Sequence, residues 1–133
     1  MRYACLGTQI VNEIHFADGS EKRGIMGGTI FALAGLQQYC ADSILFADRG
    51  SDWEQYFGKW FRDNGISEAG LDPIVQRQTF SELHYLPTGE WKENMFFGPA
   101  DRKAENLRLT EQMLDALTDE TRGVYLYESI HNT

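Results

Sequence analysis

The stretch "KRGIMGGTIFALAGLQQY", residues 22–39, decides the fold because it joins a predicted strand to a predicted helix through the pair Gly27-Gly28. Residues 9–28 predict two strands around the turn "ADGS", since Asp-Gly supplies the positive φ that tight hairpins need. Residues 29–39 are apolar on most sides in their first two turns, which predicts a helix covered on more than one face. Glycine at such a junction either lets a ligand approach the backbone or only turns the chain.

Neither of two known nucleotide-binding glycine motifs fits this junction. A dinucleotide fingerprint requires G-x-G-x-x-G, whereas the next glycine after the pair is Gly35. A Walker-type phosphate loop requires a lysine followed by serine or threonine, and no lysine follows the pair. On this local pattern alone, the ligand-approach and the turn interpretations carry equal weight.

Strand and helix patterns alternate around the junction. Residues 2–7 and 42–48 predict core strands, and Ser51 with Glu54 has the spacing of a capping box at a helix start. Asp52 beside this cap predicts a favourable interaction with the positive end of the helix dipole. Aromatic residues recur through the helix at i, i+3, i+4, i+7 and i+8, which predicts a packing stripe rather than a ligand cage. They are Trp53, Tyr56, Phe57, Trp60 and Phe61.

The second half of the chain continues the alternation. Residues 73–97 predict two strands joined at the turn "PTGE", residues 110–117 predict a short helix, and "GVYLYE" at 123–128 predicts another core strand. This order predicts an α/β fold, in which a mostly parallel, Rossmann-like sheet is flanked by helices and a separate small sheet lies beside it.

Charge and hydropathy exclude several classes of partner. The 20 acidic and 12 basic residues give a net charge of -8, which disfavours nucleic acid and anionic membrane surfaces because both reward clustered lysine and arginine. No apolar run approaches the roughly 20 residues of a membrane span, and residues 1–10 are too polar for a secretory signal. The expected location is therefore cytoplasmic.

The cysteines and histidines predict no metal site. Cys5 and Cys40 lie in apolar contexts without metal-type spacing, which predicts reduced core thiols. His15, His84 and His131 are widely spaced, without cysteine or acidic residues at the intervals of a zinc motif. His15 and His84 fall in the extended segments, where cross-strand surface positions are expected.

Four features then follow one another along the chain: a first strand ending in Gly-Thr, a Gly-Gly pair opening an apolar helix, a G-x-D segment before an amphipathic helix, and a Gly-Ile after it. They are Gly7-Thr8, Gly27-Gly28, Gly50 with Asp52, and Gly65-Ile66. Together they resemble the ribokinase-like (PfkB-type) carbohydrate kinase family. The resemblance covers essentially the whole chain, which matches about the first half of the family's usual length.

The resemblance implies a set of substrate-binding residues. It implies that Gly27 and Gly28 approach the substrate and that Asn12 or its neighbour Glu13 stands where relatives often carry a sugar-binding aspartate. The amide of Asn12 can hydrogen-bond a hydroxyl group. Glu128 matches a position where some relatives place a substrate-facing acid. Ala32 stands where an asparagine usually contacts a sugar hydroxyl, so the resemblance does not identify the substrate.

The family's catalytic segments have no counterpart in this sequence. These are the G-A-G-D-like segment with the catalytic base, the nucleotide pocket and a metal-associated segment. The resemblance therefore implies a truncated ribokinase-like fold: the N-terminal, substrate-side half of a kinase, with no catalytic residue and no activity alone. ATP and Mg²⁺ are expected for a full-length enzyme, and neither is expected on this chain by itself.

The expected arrangement also has consequences for ligands and partners. Residues 9–26 and 73–97 are expected to form a small β-sheet lid over a sugar or polyol-like substrate. The unpaired edges of a broken sheet predict a homo-oligomer. The alternative is a non-catalytic module that keeps the same fold for binding a small molecule or a protein.

Overall fold

The computed structural model describes residues 1–98 and 103–127, apart from the side chains of residues 103–106. Two four-stranded sheets and three helices make up this part of the chain. In chain order the elements are β1 (Tyr3–Gly7), β2 (Gln9–His15), β3 (Glu21–Gly28), α1 (Ile30–Gln37), β4 (Ser43–Arg49), a π-helical segment (Glu54–Gly58) that continues into α2 (Lys59–Asp63), β5 (Leu71–Pro73), β6 (Phe80–Tyr85), β7 (Trp91–Phe96), α3 (Lys103–Ala116) and β8 (Gly123–Tyr127).

The first sheet is parallel throughout, in the order β5-β4-β1-β8. One face carries Cys5, Leu45 and Ala47, which pack against α1 and the segment from the π-helix through α2. The other face carries Ala4, Leu6 and Phe46, which pack against Leu109 and Met113 of α3. Helices on both faces bury the strands as near-continuous apolar runs, as parallel sheets require. The predicted α/β architecture is confirmed.

The second sheet has the order β3-β2-β6-β7 and is mixed. The β2–β3 and β6–β7 hairpins are antiparallel within themselves and join through the parallel pair β2–β6. Both hairpin turns use a glycine at positive φ, Gly19 at 87° and Gly89 at 85°, as the turn sequences predict. A register shift between Asn12 and Ile14 bends the first hairpin. The separate small sheet expected from the two extended segments is thus present.

The aromatic stripe packs as predicted, whereas the predicted cap is wrong. Trp53, Phe57 and Phe61 are fully buried. No side chain caps the start of the π-helical segment: the Ser51 N–H donates to the Gln76 carbonyl, and the Glu54 carboxylate accepts a hydrogen bond from Arg62. The Asp52 carboxylate accepts its hydrogen bonds from Arg77 and Gln78, just before β6.

Two further expectations need correction. The third helix begins at Lys103 rather than at residue 110, so residues 103–109 are helical as well. Cys5 is buried, but Cys40 is only partly so. Among the described residues, no helix has the length and apolar character needed to cross a bilayer.

Candidate functional site

The glycine junction lies at the carboxyl end of the parallel sheet. The chain leaves β1 at Gly7 and enters β2 at Gln9, with only Thr8 between them. The Thr8 carbonyl accepts hydrogen bonds from the backbone N–H of Thr29 at 3.0 Å and from its hydroxyl at 3.1 Å. Since Thr29 directly precedes α1, one carbonyl holds the start of both the second sheet and the first helix. Parallel α/β sheets bind ligands outside this edge.

The strand order reverses at β1, which is the other requirement for a ligand crevice. The chain passes from β1 to β4 on one side, and β8 lies on the other, with Gly7 paired to Tyr127. A Cβ on Gly7 would lie 2.3 Å from Thr29 Oγ1 and 2.7 Å from Tyr127 Cβ. Glycine here lets the end of β8 meet the start of α1. Glu128, the predicted acid, directly follows Tyr127 in sequence and lies outside the described residues.

The two glycines of the pair have different roles. Gly28 has φ of 70°, and a Cβ there would lie 2.3 Å from the Thr8 carbonyl oxygen, so the turn itself requires glycine. Gly27 has an ordinary φ, but its Cβ would lie 2.1 Å from Asn12 Nδ2. The missing side chain of Gly27 therefore leaves the space that the Asn12 amide occupies.

The structure brings two more polar groups to Asn12 that the sequence analysis missed. Asn12 is the register partner of Ser81 on β6, so both side chains lie on the same face of the second sheet. Ser81 is fully buried, and its hydroxyl donates to Glu93 Oε1 on β7. An amide, a hydroxyl and a carboxylate thus share this face. Among the described residues no group hydrogen-bonds the Asn12 side chain.

A buried polar network joins the second sheet to the first. Trp53 Nε1 donates to Gln9 Oε1 at 3.1 Å, and Gln9 Nε2 donates to the Asp48 carbonyl at 3.5 Å. Gln78 Nε2 donates to the Gln9 carbonyl at 2.9 Å, and Gln78 Oε1 accepts from the Gly50 N–H at 2.9 Å. Each buried amide group therefore has a partner, which fixes the base of β2 against the end of β4.

Asp52 extends this connection. Its carboxylate accepts hydrogen bonds from the backbone N–H of Gln78 at 2.7 Å and from Arg77 Nε at 3.0 Å. The Asp52 carboxylate raises the pKa of the Arg77 guanidinium, mainly through that hydrogen bond. Asp52 thus ties the segment before β6 to the helix start.

A surface depression at the tip of the β6–β7 hairpin is not a candidate site. It is lined by residues of the turn, between Leu86 and Lys92, and is wide open to solvent. It lies at the far end of the second sheet from the strand ends of β1 and β8. The candidate site is therefore the face around Asn12 and Gly27.

Comparisons with known proteins bear on the fold. No protein-family model and no curated protein matches the chain. Among solved structures, the Methanocaldococcus jannaschii nucleoside kinase, described as an archaeal member of the ribokinase family, matches with a TM-score of 0.66 and 14% identity over 94% of this chain. The Burkholderia thailandensis nucleoside kinase in complex with inosine matches with a TM-score of 0.59 and 11% identity over 71% of this chain. The Cryptococcus neoformans ribokinase in complex with ADP matches with a TM-score of 0.57 and 14% identity, also over 71% of this chain.

The fold is that of the ribokinase-family kinases. At identities this low, the similarity shows the fold alone. Because 94% of this chain aligns with the archaeal kinase, the aligned part includes most of both sheets. The chain spans 44% of that kinase, 36% of the bacterial nucleoside kinase and 34% of the fungal ribokinase, so it corresponds to less than half of each ribokinase-fold protein.

Proposed function

We propose that this chain is the substrate-side part of a small-molecule kinase of the ribokinase type and that it does not transfer phosphate by itself. The substrate is a sugar or another compound that displays sugar hydroxyls, such as a nucleoside. The observation that carries the proposal is the Asn12 amide held over Gly27, beside the carboxyl ends of a sheet with this fold. The matched kinases named for nucleosides and ribose support the same substrate class.

The polar groups on this face suit hydroxyl recognition. An asparagine amide donates and accepts, so Asn12 can bind a hydroxyl group in either sense. Glu93 retains acceptor capacity after binding Ser81, because a carboxylate has two oxygens. Ala32 packs its methyl group against the core of the parallel sheet and offers no polar contact. Recognition therefore depends on the second sheet rather than on α1.

The second sheet serves as a lid in this proposal. Its strands lie within or close to the segments 9–26 and 73–97, and it leaves the parallel sheet at the end where ligands bind. A lid at this position excludes water from the substrate and strengthens electrostatic interactions beneath it. Exposed apolar side chains on the lid favour self-association into a homo-oligomer. They include Ile25, Trp91, Met95 and Phe97.

The described residues do not fit ATP or Mg²⁺, so no phosphoryl-transfer step is assigned to them. The Thr29 N–H at the start of α1 already donates to Thr8 instead of facing a phosphate. The Asp52 carboxylate already binds Gln78 and Arg77. Phosphoryl transfer needs groups that position the phosphate and neutralise its charge. ATP and Mg²⁺ belong to a full-length enzyme in this proposal, and a cytoplasmic location agrees with its free thiols.

The test is ligand binding by Asn12 variants. Ribose, fructose, inosine and a cyclic polyol are titrated into the 133-residue chain, with thermal shift and calorimetry as readouts. We expect one compound class to bind the natural chain, Asn12→Leu to remove that binding, and Gly27→Ala to do the same because its methyl displaces the Asn12 amide. Asn94→Leu is the matched control, since Asn94 pairs with Glu82 on the opposite face of the sheet.

Three outcomes would contradict parts of this proposal. Unchanged binding by Asn12→Leu would remove the site assignment, and phosphorylation of a sugar by the purified 133-residue chain with ATP would refute its inactivity. Binding without phosphate transfer by the longest natural polypeptide that contains these residues would favour a non-catalytic binding module instead.

A further inference from the structure

The face of the second sheet opposite Asn12 carries a cluster of ionisable side chains. Glu13 and His15 alternate along β2, and their register partners on β6 are Glu82 and His84. Glu21 on β3 is the register partner of His15. These five residues come from two separate segments of the sequence, 13–21 and 82–84, whose spacing matches no zinc motif. Strand pairing nevertheless places them together.

The cluster is centred on the His15 imidazole. His15 Nε2 lies 2.9 Å from Glu13 Oε1, and His15 Nδ1 lies 3.4 Å from Glu21 Oε2. One ligand atom from each of the three residues lies within 4.8 Å of the others. The His84 ring stacks on that of His15, with centroids 4.4 Å apart and planes 3° apart. His84 Nε2 is 3.6 Å from Glu82 Oε2.

We propose that Glu13, His15 and Glu21, with His84 as the fourth ligand, bind a divalent transition-metal ion, for which Zn²⁺ is the best match. Zinc binds imidazole nitrogen and carboxylate oxygen at about 2.0–2.2 Å in tetrahedral sites, which places ligand atoms about 3.4 Å apart. The three clustered ligand atoms need only small side-chain rotations to reach that spacing. His84 reaches it by turning out of the stack. Imidazole ligands favour zinc over Mg²⁺ or Ca²⁺, which prefer oxygen.

Local charge favours a cation at this position. Glu13, Glu21 and Glu82 contribute three carboxylates, against Arg23 on β3 and Lys92, the register partner of His84 on β7. Arg23 Nε donates to Glu21 Oε1 at 2.9 Å, and Arg23 Nη2 lies 3.8 Å from Glu13 Oε1. Its guanidinium holds the two carboxylates together while its side chain is 67% exposed. Arg23 is therefore a competitor that a bound metal ion displaces.

The site joins the two hairpins of the second sheet. Glu13 and His15 lie on β2, Glu21 on β3 and His84 on β6, so one ion connects three strands. The solvent-facing parts of these hairpins have little buried apolar surface, as the exposed β7 shows. Metal binding adds its free energy to the folded state because the unfolded chain does not hold the ligands together. The ion stabilises the second sheet independently of any substrate at Asn12.

The probe is Zn²⁺ added to the metal-free 133-residue chain, with Co²⁺ as its spectroscopic substitute. We expect one ion per chain by calorimetry, a raised melting temperature, and a cobalt spectrum of nitrogen and oxygen ligands without a thiolate charge-transfer band. His15→Gln, Glu13→Gln and His84→Gln should each weaken binding at least about tenfold. Glu111→Gln on the exposed surface of α3 is the matched acidic control and should bind as the natural chain does.

Arg23→Gln separates a metal site from a simple ion-pair cluster. Removing the competing guanidinium should tighten Zn²⁺ binding. If the cluster instead depends on Arg23 for its geometry, the variant should lose Zn²⁺ binding. Histidine ¹⁵N NMR of the natural chain needs no substitution and should show two imidazoles shifting with Zn²⁺. Absence of saturable binding, a thiolate band, or loss of binding in His131→Gln would overturn the proposal. If His84→Gln binds Zn²⁺ as tightly as the natural chain, His84 is not the fourth ligand.

Discussion

The two sheets of this protein use burial in opposite ways. In the parallel sheet, Ala4, Cys5 and Leu45 have no exposed surface, because helices cover both faces. In the second sheet, β7 is exposed along its whole length and Trp91 is 56% exposed. The two sheets therefore have different roles. The parallel sheet and its helices contain most of the buried apolar residues, and the outer part of the second sheet presents polar groups to solvent.

The junction between the sheets combines deep burial with polar side chains. Residues at the base of the second sheet are as buried as the core, although they are polar: Gln9, Gln78, Thr79 and Ser81. Buried amides are stable only when hydrogen-bonded, so this base is geometrically specific where the outer hairpins are not. We expect local opening to begin at the outer hairpins rather than at this base.

The largest expected effect separates the two regions by core truncation. Phe57→Ala should lower the free energy of unfolding by about 3–5 kcal/mol, because Phe57 of the π-helical segment is fully buried in the core against the parallel sheet. Trp91→Ala removes a larger side chain from the second sheet but should cost less than about 1 kcal/mol, since it is already half exposed. Urea denaturation measures the loss of unfolding free energy in each variant. Equal losses would contradict the expected difference between the two sheets.

The junction should show an intermediate effect. Gln78→Ala leaves the Gln9 carbonyl and the Gly50 N–H without their partner, so we expect a loss of about 1–3 kcal/mol. Gln76→Ala, two residues earlier and exposed, is the matched control and should be nearly neutral. Hydrogen exchange should show faster exchange in β2 and β6 for the first variant alone. Unchanged protection in both strands would mean that the network does not hold the second sheet.

Local patterns in the sequence were enough to predict most elements. Helical spacing of Trp53, Phe57 and Phe61 identified a packing helix, and glycine turns identified both hairpins. The predicted cap failed because Glu54 lies within reach of Arg62, a partner that the capping-box pattern does not consider. The start of α3 was placed too late because its first residues carry mixed charges without an apolar period.

The candidate site required strand register, which no local pattern contains. Gln9 and Gln78 are 69 residues apart and still share a hydrogen bond. The sequence marked Asn12 and Gly27 separately, through the resemblance, but not that one occupies the space left by the other. Ser81 became a candidate only through its pairing with Asn12. Alternation along a strand predicts two faces, and only pairing tells which residues share each face.

The smallest expected effect concerns the buried thiol of Cys5, which tests how well the interior of the parallel sheet is shielded from water. Burial raises the pKa of Cys5 on β1 from 9.0 to about 11. The folded state therefore holds this proton more tightly than the unfolded state, and the resulting stability is complete below pH 9 and is lost as pH rises towards 11. At pH 10 the loss should be about 1 kcal/mol.

Two cysteine variants test whether Cys5 causes the loss of stability at high pH. Cys5→Ala should have a lower stability at neutral pH, from the lost packing, but should lack the Cys5 contribution to the decline between pH 9 and 11. Cys40→Ala should keep the decline, since Cys40 is partly exposed beyond the end of α1. The measurement is urea denaturation across that pH range with a reductant present. The same decline in both variants would mean that water reaches the interior of the parallel sheet, and the contrast with the second sheet would then be smaller than burial indicates.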